Sequence, residues 1–113
     1  MNYEVERRLG VREEKEDLRR RTKGFALQII RLYSSLPKST EAQVLGKQLL
    51  RSGTSVGANY REAFRARSAS EFVAKLGDSL RELEESAYWL ELLSDLRSYR
   101  EQDWLRYRMK MIS

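Results

Sequence analysis

Three Ser/Thr-x-x-Glu/Gln boxes divide the chain: Thr40-Glu41-Ala42-Gln43, Ser68-Ala69-Ser70-Glu71 and Ser98-Tyr99-Arg100-Glu101. In such a box the hydroxyl accepts from the N3 amide and the N3 side chain reaches back to the N-cap amide, so each box predicts a helix start. The apolar residues between them keep helical spacing. Before Pro37 they fall at Leu18, Phe25, Ile29, Leu32 and Leu36. After Thr40 the stripe runs Ala42, Leu45, Leu49, Ser52, Val56, Asn59, Ala63, and after Ser68 it runs Phe72, Leu76, Leu80, Leu83, Ala87, Leu90. The last box opens a shorter segment with Trp104, Leu105, Met109 and Ile112. Steps of three and four mark amphipathic helices and exclude strands. Proline disfavours helix in the residue before it, which makes Leu36-Pro37-Lys38-Ser39 the clear breaker. Links this short join antiparallel neighbours. The expectation is an all-α, up-and-down antiparallel four-helix bundle. Its second helix would run from Thr40 to about Ala66, its third from Ser68 to about Leu96, and its fourth would be about half as long. Residues 1–10 form a charged N-terminal tail expected to fray, and residues 11–113 form a single domain.

Cysteine and histidine are absent, which removes thiol nucleophiles, imidazole bases and Cys/His zinc sites. A di-iron bundle site needs Glu-x-x-His motifs, and there are none. Gly46-Lys47 is not a P-loop: Glu41 stands at the required first glycine and Gln48 at the Ser/Thr position. Glu82, Glu84 and Glu85 read as a solvated, ion-paired face, and no metal, cofactor or catalytic residue is expected. No apolar run is long enough to span a membrane and the first residues form no signal-peptide core, so the expected location is the cytoplasm. The net charge of +5 is unevenly spread. Segments 1–23, 24–67, 68–96 and 97–113 carry +2, +5, −5 and +3. The basic second segment beside the acidic third predicts complementary packing of neighbouring helices.

The second helix has a middle that a plain bundle would not choose. Arg51-Ser52-Gly53-Thr54-Ser55-Val56-Gly57-Ala58-Asn59 holds two glycines, each costing about 1 kcal/mol against alanine in a helix interior. It also sets Ser52 and Asn59 in the apolar stripe. Close helix packing with satisfied polar groups offsets those costs, and a shallow groove for a ligand or nucleic-acid backbone is the alternative. If the second and third helices turn near Arg67 and Ser68, Arg51 meets Glu82 and Glu85, Asn59 meets Lys75 and Ser79, and Glu62 approaches Phe72 and Lys75. A partly buried Arg51 ion pair is expected there, hydrogen-bonded by Ser52 or Ser55, fixing helix register more than adding stability.

These segments resemble a known family. Phe25-Ala26-Leu27-Gln28-Ile29-Ile30-Arg31-Leu32-Tyr33, the stretch from Gln48 through Arg51-Ser52-Gly53-Thr54-Ser55-Val56-Gly57-Ala58-Asn59, and Glu71-Phe72-Val73-Ala74-Lys75-Leu76 are similar to the bacterial proteins named for intervening sequences in 23S ribosomal RNA. The resemblance implies a left-handed antiparallel four-helix bundle that assembles into a ring, typically a homopentamer. A similar bundle is the accessory protein of diversity-generating retroelements, a basic pentamer that engages a reverse transcriptase and nucleic acid. A reverse-transcriptase-like protein is therefore among the partners the resemblance implies. Tyr60 departs from the usual aliphatic residue, and the segment after Leu93 is short and basic.

Two surfaces are candidates for partners. Tyr88-Trp89-Leu90-Glu91-Leu92-Leu93 is apolar nearly all round, so Tyr88, Trp89 and Leu92 are candidate oligomer contacts, with cover by Trp104, Leu105 and Ile112 as the plainer alternative. Arg61, Arg65 and Arg67, with Arg19, Arg20, Arg21 and Lys23, fall at one end of an antiparallel bundle, where repeated cations give salt-sensitive phosphate binding. Tyr60 and Phe64 could stack bases there. The expected function is a non-enzymatic oligomeric scaffold binding nucleic acid without sequence preference, RNA ahead of DNA. The alternative is a protein-interaction module whose basic surface meets an acidic partner.

Overall fold

A computed structural model describes the backbone of residues 3–112 and the side chains of residues 12–97. It holds three helices: α1 (Tyr3–Ser35), α2 (Thr40–Ala63) and α3 (Ala69–Ile112). Residues 3–10, read from sequence as a tail, lie within α1. At Pro37 the chain turns, and the Leu36 N–H closes on the Tyr33 carbonyl at 3.2 Å. Ser39 caps α2 from an extended backbone, its hydroxyl accepting from the Ala42 N–H at 3.4 Å. The cap is thus one residue before Thr40. α2 stops at Ala63, short of Ala66, because the amides of Phe64, Arg65 and Ala66 bond three residues back and tighten the chain into a turn. At the next start, the Glu71 N–H donates to the Ser68 hydroxyl and the Arg67 N–H donates to the Glu71 carboxylate, both at 3.1 Å.

The expected fourth helix does not form. α3 continues through Ser98 to Ile112 as one 44-residue element, so the fold is three helices and not a four-helix bundle. A hydroxyl caps only where the backbone leaves the helix, and residues 95–112 contain no glycine or proline to force that exit. The Ser98 box therefore lies inside a continuous run of helix.

α2 packs against both other helices, whereas no Cα of α1 approaches a Cα of α3 within 8 Å among the described residues. Leu49, Val56, Tyr60 and Ala63 of α2 are buried together with Ile29 of α1. Ser52 and Ser86 are fully buried where α2 meets α3, with their hydroxyls 2.8 Å apart. Small residues at this seam permit the close approach. The Ser79 hydroxyl donates to the Val56 carbonyl at 2.7 Å, tying the same two helices by an oxygen that would otherwise be buried unpaired.

At Gly53, α1 lies close against α2. A Cβ there would lie 2.9 Å from Ile29 Cγ1 and 3.2 Å from Ile29 Cβ, the branched and stiff base of a buried side chain. Gly77 faces open space, with nothing within 4 Å of such a Cβ. The same substitution should therefore change sign between the two sites. Gly77→Ala is expected to stabilise by about 1 kcal/mol through helix propensity alone. Gly53→Ala should destabilise, since overpacking of about 1–3 kcal/mol exceeds that gain. Urea midpoints of the two variants against the parent check both signs.

Candidate nucleic-acid interface

Seven basic residues were expected to act together, and the helices sort them. Arg19 and Lys23 stand one turn apart on α1, Arg61 lies in the last turn of α2, and Arg65 lies in the turn that follows it. Arg19, Arg61 and Arg65 line a cavity of about 170 Å³ with Tyr60 and Phe64. Lys23 and Arg61 line a second cavity, of about 350 Å³, with Thr22, Ala26, Thr54 and Gly57. Arg61 belongs to both, so the two form one shallow trough along the outer side of the α1–α2 pair. No carboxylate lines either cavity. Arg20 and Arg21 are drawn off instead to Asp17, at 2.8 and 3.7 Å. Arg67 sits in the turn before α3 and is exposed.

The aromatic residues divide as well. Tyr60 is buried, its hydroxyl donating to the Lys15 carbonyl at 2.9 Å, so it fastens α1 to α2 and does not offer its ring to a base. Phe64 is exposed and packs edge-on against Tyr60 and Phe72, at centroid distances of 5.1 and 5.3 Å. Lys15 places its ammonium 4.3 Å from the Phe64 ring centre, a cation–π contact that sequence reasoning missed. Burial, and secondarily the Glu16 charge, raise the Tyr60 pKa above its ordinary value. A raised folded-state value means that the stabilisation is complete below the unfolded value near 10 and is lost as pH climbs through the folded one. Tyr60→Phe should cost about 1 kcal/mol at neutral pH. The gap between parent and variant should shrink or reverse above about pH 10, as urea unfolding at pH 7 and pH 11 would show.

A second polar cluster lies across the α2–α3 seam. The Arg51 guanidinium pairs with Glu85 and, at 3.3 Å, with Glu82. Its third partner is the Gln48 side chain and neither expected serine: Ser52 donates to the Leu49 carbonyl, and Ser55 to the Arg51 backbone carbonyl. Both hydroxyls turn back on their own helix, as serines within helices commonly do. The Trp89 indole donates to Glu85 at 3.1 Å and extends the cluster along α3. Arg51 remains half exposed. Asn59 is only half-buried, while Lys75, expected opposite it, pairs with Glu62 at 2.9 Å. That hydrogen bond, reinforced by the Glu62 charge, raises the Lys75 pKa. Of the candidate oligomer contacts, Tyr88 is exposed, and Trp89 and Leu92 are half-buried. The side chains of Trp104, Leu105 and Ile112 lie outside the described residues. Among the described residues, no helix is long and apolar enough to cross a membrane.

The family model for the 23S rRNA-intervening sequence protein matches residues 14–112. Among solved structures, the chain is similar to a protein of unknown function from the S23 ribosomal protein family of Bacteroides thetaiotaomicron VPI-5482. The two are 43% identical, the match covers 73% of each chain, and the TM-score is 0.68. No curated protein matches.

Proposed function

Because the chain belongs to the 23S rRNA-intervening sequence protein family, whose name gives no activity, we propose its function from the surface: a non-enzymatic, homo-oligomeric scaffold that binds RNA without sequence preference. The observation that carries this reading is the convergence of Arg19, Lys23, Arg61 and Arg65 on one trough that contains no carboxylate. Arg19 and Lys23 on α1, Arg61 in the last turn of α2 and Arg65 just past its end suit a run of phosphates. Their exposure leaves them able to exchange water for phosphate oxygens. Phe64, which lines the trough and is exposed, is the ring on which an unstacked base would stack in exchange for the Lys15 ammonium over it. Assembly, with the pentamer as the expected state and Tyr88, Trp89 and Leu92 as candidate contacts, would repeat the trough and multiply the field. The neighbouring Arg51 cluster has its charges matched by Glu82 and Glu85 and is assigned a structural role.

The test is a salt series. Fluorescence anisotropy with a single-stranded RNA should show binding at low salt, with log affinity falling linearly in log salt at about 0.7 per phosphate neutralised. RNAs of unrelated sequence should bind alike. No detectable affinity at low salt removes this reading and leaves the acidic-protein partner.

A further inference from the structure

α1 and α3 both rest on α2, and among the described residues no Cα of one lies within 8 Å of a Cα of the other, which leaves an open slot between them. Its two walls are apolar. On α3, the residues that touch α2 include Ser79, Glu82 and Ser86, and one position on from each come Leu80, Leu83 and Ala87. With Val73, Leu76 and Leu90 they make an unbroken seam in alternating steps of three and four, the spacing that calls for a partner helix. Leu80 is 61% exposed and Leu83 42% exposed. On α1, Leu18, Phe25 and Leu32 recur every seven residues on the flank away from Arg19 and Lys23, and Leu18 and Leu32 are exposed. A cavity of about 400 Å³, lined by Leu32, Leu36, Leu93 and Leu96 among others, joins the walls at the α1–α2 loop end.

The same chain carries a segment of suitable chemistry that its own slot cannot receive. Residues 97–112 are helical and continue α3 beyond the level at which the α1–α2 loop meets Leu93 and Leu96. At 1.5 Å per residue these 16 residues span about 24 Å, against about 27 Å for the wall from Leu18 to Leu36. Trp104, Leu105, Met109 and Ile112 share one helical face by spacing. The segment 97–113 carries five basic residues to two acidic, whereas 68–96 carries two basic to seven acidic. Glu84 and Glu91, both exposed, flank the seam one turn beyond Leu80 and Ala87. While α3 is unbroken, the segment points away from its own slot.

We propose that residues 97–112 of one copy fill the α1–α3 slot of a second copy and supply the missing fourth helix in trans. This deepens the assembly part of the proposed function, with the slot and the tail as its contacts in place of Tyr88, Trp89 and Leu92, and rests on that part alone. Donation of a tail to a neighbour's slot is a heterologous contact, which closes either as a reciprocal pair or as a ring.

The test is complementation by native mass spectrometry on full-length chains, with circular dichroism to confirm helix content. A slot variant carries Leu80→Glu and Leu83→Glu. A tail variant carries Trp104→Glu and Leu105→Glu. The parent should assemble, each variant alone should be monomeric, and their mixture should give a one-to-one dimer joined by the intact tail and the intact slot. A monomeric parent, variants that still self-assemble, or folded variants that ignore each other would overturn the proposal. Should a glutamate pair unfold its chain, the absence of native cysteine allows a second measurement. Chains bearing Leu76→Cys, Leu83→Cys or Leu90→Cys are mixed with a Leu105→Cys chain and oxidised. A cross-link between chains at one of these positions is expected, and none at any of them refutes the trans arrangement. The slot residues lie off the cationic trough, so loss of assembly and loss of RNA binding are read separately.

Discussion

Replacing Arg61 and Arg65 together by glutamate is expected to lower affinity for single-stranded RNA by about 100-fold at low salt. Two reversals at about 1.4 kcal/mol each give that factor, since every 1.4 kcal/mol is tenfold. The slope of log affinity against log salt should fall by about 1.4, the contribution of two phosphate contacts on a single strand. Arg61 lines both cavities and Arg65 one, so the pair removes half of the four converging cations. Arg20→Glu with Arg21→Glu is the matched control. It makes the same charge change on residues already engaged with Asp17, and should weaken binding far less. Equal losses in the two variants would mean that net charge, and not the trough, governs binding. Anisotropy titrations at three salt concentrations separate the cases.

Leu49→Ala should cost about 2–5 kcal/mol, the largest effect expected from a single truncation. Leu49 is fully buried on α2, the helix against which both others pack. Replacing its isopropyl group by hydrogen leaves a cavity in the helix on which both others rest, where the surroundings relax only in part. With a urea slope of about 1–2 kcal/mol per molar for a chain of this size, the midpoint should drop by about 2 M. Val44→Ala on the same helix, at a side chain that is more than half exposed, should stay within about 0.5 kcal/mol of the parent. A Leu49→Ala midpoint equal to that of Val44→Ala would contradict the buried position assigned to Leu49.

Much of the helical register could be read before any coordinates. The turn near Arg67 and Ser68 is enough to set Arg51 opposite Glu82 and Glu85 and Glu62 near Lys75, because antiparallel pairing across a short turn leaves little freedom. The cap at Ser39 was misplaced by one residue because two hydroxyls stand side by side, and only backbone dihedrals choose between them. The Ser98 box misled for a different reason. Its pattern is compatible with a helix start but does not compel one, and a continuing ladder satisfies the same amides. The sorting of the cations was also hidden. Arg19 to Lys23 is one turn of helix, so the direction each arginine takes follows from where α2 lies and where Asp17 draws its neighbours. Serine partners were unreadable because a hydroxyl in a helix can satisfy itself on a carbonyl three or four residues back, as Ser52 and Ser55 do.

The middle helix touches both of its neighbours, and among the described residues no Cα of one neighbour lies within 8 Å of a Cα of the other. Among the described residues, close backbone approach between elements is therefore made by helices adjacent in the chain, and does not require the first and last helices to find each other. Little closure entropy stands in the way of collapse, which places this topology among the fast folders. It also makes the molecule two overlapping hairpins that share a spine, each able to form before the other is complete.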